Sequence, residues 1–248
     1  MSNINVKIKG FVKNLIENFR RFFNQKSIFS FKYEGEEINL YLPLKRDHLQ
    51  QQIIVKWNFY ESSELGKIRR FIQNNSVILD IGANIGNHAI YFGKILKAKR
   101  IYCFEPQKEA FNILKRNIHL NDLEKNIVAY NEGLGNKNSK GRIKERQKNN
   151  LGGSSIEESK KGELKIKRLD SLNIKEKVSF IKIDVEGFEK EVLKGGQNFI
   201  IDNKPIVWIE VDKNNQFFVL KYFKKIGYKR IKDDNLKNWL FIPKNENS

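Results

Sequence analysis

The segment Asp80-Ile81-Gly82-Ala83-Asn84-Ile85-Gly86-Asn87 joins a short apolar run, VILDI, to a helical stretch, so that a carboxylate ends the run and two glycines follow it. Glycine lets backbone approach a ligand closely, and a helix beginning near Asn87 or His88 presents unpaired N–H groups to the same place. A dinucleotide pyrophosphate asks for G-x-G-x-x-G, whereas the spacing here is Gly82 then Gly86 behind a carboxylate. A carboxylate suits a ligand bearing an ammonium and a sulfonium. A second run, RIYCF, ends at Glu105, 25 positions beyond Asp80. That is close to the ~20-residue offset at which an acidic side chain reaches a ribose diol. A third run, FIKID, delivers Asp184 and Glu186, with Lys182 on the strand face that carries Asp184. These two carboxylates are the candidate bases for a hydroxyl. Proximity in line with an electrophile supplies ~7–11 kcal/mol, and a positioned base adds ~10²–10⁴-fold. Asp184 can instead brace the turn into the following helix, and Glu186-Gly187 can be a structural turn with Gly187 at positive φ.

These residues need short buried strands feeding helices, and the chain supplies them from Val77 onward. The pattern predicts strands at Val77–Ile81, Arg100–Phe104, Ile127–Asn131, Phe180–Asp184 and Ile206–Val211. Helices follow at about His88–Leu96, Glu109–Leu120, Glu189–Gly195 and Gln216–Ile226. Lys229–Lys232 and Trp239–Ile242, joined through Asp233-Asp234-Asn235, read as an antiparallel hairpin. The fold class is therefore α/β: a doubly wound, mostly parallel sheet with an antiparallel C-terminal hairpin. The polar stretch Asn136–Lys161, with Asn149-Asn150 and Gly152-Gly153-Ser154-Ser155, reads as a long loop. Upstream, Ile28–Tyr33 and Ile38–Leu42 flank Glu34-Gly35-Glu36-Glu37 as a β-hairpin. Ile8–Phe23, with Phe11, Leu15 and Phe19 at helical spacing, reads as a basic amphipathic helix. This gives an N-terminal extension over residues 1–60 and a main domain over residues 61–248.

The net charge of +18 favours anionic partners, although a chain so rich in Lys, Asn and Ile gains the same excess from AT-rich codons. Cys103 stands alone, which excludes an internal disulfide and a multi-cysteine zinc site, and a cytoplasmic setting is expected. His48, His88 and His119 lack the spacing of a metal-ligand cluster, so no metal is expected; His88 alone, just after the glycine turn, is placed to touch a ligand. No apolar stretch approaches the ~20 residues that cross a bilayer, and the N-terminus lacks the apolar run of a signal peptide. The helix over 8–23 is suited to peripheral contact with an anionic membrane.

VILDIGANIGNHAIYF at 77–92, CFEPQKEAFNILKRNIHLN at 103–121, NEGLG at 131–135, GGSSI at 152–156 and RLDSLNI…VSFIKIDVEGFEKEVLKGG ending at Gly196 resemble, in that order, the FkbM-type methyltransferases. The resemblance spans about Asn58 to Glu210. It implies a Rossmann-like methyltransferase sheet that holds S-adenosylmethionine, with Asp80, Gly82, Asn84, Gly86 and Glu105 at the cofactor; Asn87 closes the same cofactor segment, and Glu61, also within the resemblance, either folds over the cofactor or caps the helix around Leu65. It further implies O-methylation of a hydroxyl, commonly on a sugar of a glycan or glycolipid or on a secondary metabolite, so the expected partner is a small-molecule or glycan acceptor. Glu210, ending the fifth strand, is placed to line an acceptor pocket.

Two rival classes differ in their residues. Nucleic-acid methylation on an exocyclic amine needs a Pro-Pro-aromatic segment, and Pro43, Pro106, Pro205 and Pro243 are never adjacent. Cytosine C5 chemistry needs a cysteine near the fourth strand, whereas Cys103 lies in the second. Ribose 2′-O-methylation of RNA survives as an alternative, as does a non-catalytic membrane-docking module built on the basic helix.

Overall fold

The computed structural model describes residues 27–145, 147–232 and 238–244. The helix expected over 8–23 and the turn at Asp233-Asp234-Asn235 lie outside them.

Near-continuous apolar runs are what a parallel strand buried on both faces requires. β3 (Val77–Ile81), β4 (Arg100–Phe104), β5 (Ile127–Tyr130), β10 (Phe180–Ile183) and β11 (Ile206–Ile209) form that sheet, in the order β5-β4-β3-β10-β11. β12 (Tyr228–Ile231) and β13 (Trp239–Pro243) extend it antiparallel, with β13 paired to β11. The order reverses at β3, which pairs with β4 on one side and β10 on the other. This is the topological switch point at which open α/β sheets bind ligands.

Side chains alternate across the sheet. Leu79, Ile81, Ile181 and Ile183 enter one core, covered by α5 (Glu189–Gly195), α6 (Gln197–Asn203) and α7 (Gln216–Lys225). Ile78, Phe180 and Trp208 enter the other, covered by α3 (Asn87–Lys94) and α4 (Lys108–Leu120). In α4 the buried residues Ala110, Ile113, Leu114, Asn117 and Ile118 follow helical spacing and make one packing face.

The hairpin β1 (Ile28–Tyr33) and β2 (Glu36–Tyr41), with α1 (His48–Lys56) and α2 (Ser62–Ile68), closes this second core. Its turn is two residues, Glu34 and Gly35, both at positive φ, so β2 starts earlier than the apolar pattern suggests. Asn117 and Asn121 of α4 bond the β2 backbone: Tyr41 N donates to Asn117 Oδ1 at 2.6 Å and Asn121 Nδ2 to Asn39 O at 2.7 Å. Phe31, Phe59 and Tyr91 meet edge to face at 5.3 and 5.4 Å between centroids, geometry that adds ~0.5–1.5 kcal/mol per pair beyond burial.

The stretch read as one loop, Asn136–Lys161, is a correction. It contains β7 (Ser139–Glu145) and β8 (Ser155–Glu158), which join β6 (Gly133–Gly135) and β9 (Leu164–Arg168) in a four-stranded sheet ordered β6-β9-β7-β8. Only Gly141 is buried in β7 and nothing is fully buried in β8, so no apolar alternation marks them. The irregular segment between these two strands is strapped down. Asp47 caps α1 with one oxygen and accepts Leu151 N at 2.7 Å with the other. His48 N donates to Asn149 O, and Gln107 Nε2 to Leu151 O.

Candidate cofactor and reaction site

The carboxyl ends of β3, β4 and β10 converge on a cavity of about 290 Å³ whose walls include Glu61, Gly82, Asn84, Glu105, Asp184, Glu186 and Glu210. A narrower apolar recess continues from it between Phe104, Leu134, Ile156, Val185 and Phe188. The strand ends meet because Gly82 has no side chain: at φ +77°, a Cβ there would lie 1.8 Å from the Asp184 carbonyl oxygen. Gly82 N and Ala83 N both donate to Phe104 O, tying the glycine turn to β4.

Glu105 follows β4 directly and is 4 % exposed. One oxygen accepts Asn84 N at 2.9 Å and the other Gln107 N at 2.8 Å. Burial pushes its pKa up to about 7, against the opposing pull of those two N–H groups. A carboxylate has about four acceptor positions, so Glu105 keeps capacity for two more donors. Asn131 clasps the backbone from behind, donating Nδ2 to Glu105 O and Pro106 O.

Beneath the cavity floor lies Lys182, 3 % exposed. Its Nζ donates to Gly82 O at 2.7 Å and sits 3.3 Å from both Asp80 Oδ1 and Asp184 Oδ2. Burial disfavours its charge, but Asp184 and Asp80 outweigh that and hold its pKa above the usual lysine value. The ammonium thus binds the glycine turn to the end of β10 and orients Asp184, whose side chain is 27 % exposed toward the cavity.

The turn after β10 places Glu186 and Gly187 at positive φ, as the sequence suggested for Gly187. Two residues the sequence did not single out hold it. Glu189 accepts Gly187 N at 2.7 Å, and Asn215 Nδ2 bridges Gly187 O and the Glu189 carboxylate. Glu189, two residues past the glycine, was a local signal for this; Asn215, directly before α7 and 28 positions from Gly187, carried none.

Four residues stand elsewhere than the sequence placed them. Asp80 is fully buried beside Lys182 and does not line the cavity. Gly86 serves packing, since at φ +90° a Cβ would lie 2.6 Å from Leu114 Cδ1. Asn87 spends its amide on the Tyr60 backbone, accepting Tyr60 N and donating to Tyr60 O, so it positions Tyr60-Glu61 instead of touching a ligand. His88 is buried edge-on to Trp208 and 3.6 Å behind the Glu61 carboxylate, not in the cavity wall. Glu61 does face the cavity; its left-handed backbone starts α2 with no side-chain cap.

A nucleoside bearing a positive charge fits this arrangement. Glu105 has spare acceptors, Asn84 Oδ1 is buried with no hydrogen-bond partner, and the wall is rich in carboxylates. Fold and site together define an α/β nucleoside-binding domain with its reaction edge at the switch point. The chain belongs to the family described as the methyltransferase FkbM domain, whose model matches residues 80–230. It carries a methyltransferase domain with S-adenosylmethionine as cofactor.

The chain is 28 % identical to methyltransferase sdnD of Sordaria araneosa, over 50 % of this chain and 61 % of that protein. It is 26 % identical to methyltransferase 1 of Beauveria bassiana (strain ARSEF 2860), over 49 % and 59 %. It thus spans about three fifths of the length of these relatives. A solved methyltransferase FkbM from Methylobacillus flagellatus KT shares the fold at TM-score 0.50 and 16 % identity, covering 93 % of this chain and 60 % of that one.

Proposed function

We propose that the protein transfers the methyl of S-adenosylmethionine to a hydroxyl group, most plainly that of a sugar in a glycan, glycolipid or secondary metabolite. The observation that carries this is Asp184, held by Lys182 at the floor and turned into an acidic cavity.

In this reading Glu105 accepts the two ribose hydroxyls with the acceptor positions its backbone partners leave open. The recess between Phe104, Leu134 and Val185 takes the base. Gly82 and Asn84 lie along the cationic end, where the surrounding carboxylates favour positive charge. When bound, the cofactor would supply an electrophilic methyl, whose bond to sulfur breaks as the acceptor oxygen bonds to its carbon, so that a neutral thioether leaves. Asp184, or Glu186 beside it, takes the hydroxyl proton, and Glu61 and Glu210 border the space left for the acceptor. The same carboxylates oppose entry of a phosphodiester chain, which favours a sugar over RNA.

The test is calorimetric titration with S-adenosylmethionine, S-adenosylhomocysteine and NAD, followed by isotope-labelled methyl transfer onto a panel of glycans. Binding of both sulfur ligands without NAD, and a methyl ether in the product, is the expected result. An N-methyl or C-methyl product would overturn the hydroxyl assignment.

A further inference from the structure

Past Gln147 and Asn150, which line both, the reaction cavity gives onto a second one of about 550 Å³. Its character is opposite. The reaction cavity is walled by five carboxylates, whereas Lys45, Arg46 and Lys148 line the second, with Asp47 as the one carboxylate among its lining residues. Asp47 is 5 % exposed, and both its oxygens already accept backbone N–H groups, from Gln50 and Leu151. α1, nine residues long, starts at this wall and adds the positive end of its dipole. Ser154, 6 % exposed, stands between this cavity and the apolar recess and lines both, and its Oγ is buried with no hydrogen-bond partner. An unused hydroxyl donor, three long cations and a helix start make a site built for an anion, with room for more than a single ion.

We infer that this cavity binds a phosphoryl group of the acceptor, carried at a distance from the hydroxyl that is methylated. The inference rests on the hydroxyl-methylation reading and narrows it. The acidic cavity receives the neutral hydroxylated end while the basic one holds the anionic end, so the charge pattern sets which way round the acceptor lies. Arg46 and Lys148 are then specificity-determining residues, and a sugar phosphate is preferred to the bare sugar.

The experiment titrates the full chain, loaded with S-adenosylhomocysteine, with glucose, glucose 6-phosphate and inorganic phosphate at low salt. Both phosphates are expected to bind and glucose not. Arg46→Gln with Lys148→Gln should weaken phosphate binding by at least about tenfold, since each lost charge removes a charge-assisted bond. Affinity for S-adenosylhomocysteine should stay unchanged in that variant, which verifies its fold. Equal phosphate affinity in the two proteins overturns the inference, as does an equal loss in a control altered at Lys224 and Lys225 of α7, because net charge alone would then explain it. Sedimentation with phosphatidylcholine vesicles, with and without phosphatidic acid, separates the sources. Sedimentation that needs phosphatidic acid, Arg46 and Lys148 marks a lipid-borne phosphate; soluble phosphate binding alone marks a free one. Failure of S-adenosylhomocysteine to bind would strike the methyl-transfer reading, whereas phosphate indifference with that ligand bound strikes only this one.

Discussion

On the proposed reading, in which Glu105 accepts the ribose hydroxyls, its buried carboxylate should make cofactor affinity a function of pH. Burial raises its pKa to about 7, so near neutrality the ligand-free chain divides between protonated and ionised forms. A diol donating two hydrogen bonds selects the ionised form, and the apparent Kd then scales as one plus the ratio of protonated to ionised protein. That factor is about 11 at pH 6 and about 1.1 at pH 8, so affinity improves about tenfold across the interval, or about 1.4 kcal/mol. Stability of the unliganded protein runs the other way. The folded pKa lies above the unfolded one, so this contribution is fully present below about pH 4.5 and is lost as pH rises through about 7, for a total of about 3 kcal/mol. The assay is calorimetry with S-adenosylhomocysteine at several pH values, repeated on Glu105→Gln, which keeps the side-chain shape and carries the ligand's own titration as a baseline. Glu105→Gln should bind more weakly at pH 8, by about 1.5–3 kcal/mol for bonds to a charged acceptor, and should lose the slope between pH 6 and 8. A flat wild-type profile, or the same slope in Glu105→Gln, would refute the reasoning.

Asp184→Asn should lower turnover by about 10²–10⁴-fold with S-adenosylhomocysteine affinity preserved; normal turnover would remove Asp184 as the base. Lys182→Met leaves Asp80 and Asp184 without their shared cation and should cost about 3–5 kcal/mol in denaturant unfolding. Replacing Asp80 by Asn in that background should recover part of the loss. Gly82→Ala drives a methyl into the Asp184 carbonyl and should abolish cofactor binding by calorimetry. Gly66→Ala in α2, where a Cβ meets nothing within 4 Å, should instead stabilise by about 0.5–1 kcal/mol.

The parallel sheet was legible because four of its five strands are buried on both faces and therefore written as apolar runs: VILDI, RIYCF, FIKI and IVWI. The strand ends followed from it, which is why Gly82, Glu105, Asp184 and Glu186 were found and do meet at one cavity. What local pattern carries poorly is support across the fold. The amide of Asn87 reaches a backbone 27 positions away, and that of Asn215 a turn 28 positions away. A sequence shows Asn87 beside the glycine turn and invites a ligand contact; its hydrogen bonds are spent on Tyr60. The small sheet was missed for a different reason. β7 is SKGRIKE, a strand whose one buried position is a glycine, so solvent exposure erased the alternation that identifies strands.

The seam formed by Asp80 and Lys182 also constrains assembly of the chain. The two residues are register partners between β3 and β10, and Cys103 and Trp208 continue the row on either side. Side chains alternate with period two, so a slip of β10 by one residue would drive the ammonium into the opposite layer, beside Leu79 and Ile81, and leave Asp80 facing hydrocarbon. The cost of such a slip is that of an unpaired buried charge, several kcal/mol. Apolar strands as alike as VILDI and FIKI could otherwise pair in more than one frame; one lysine makes the productive alignment the only affordable one.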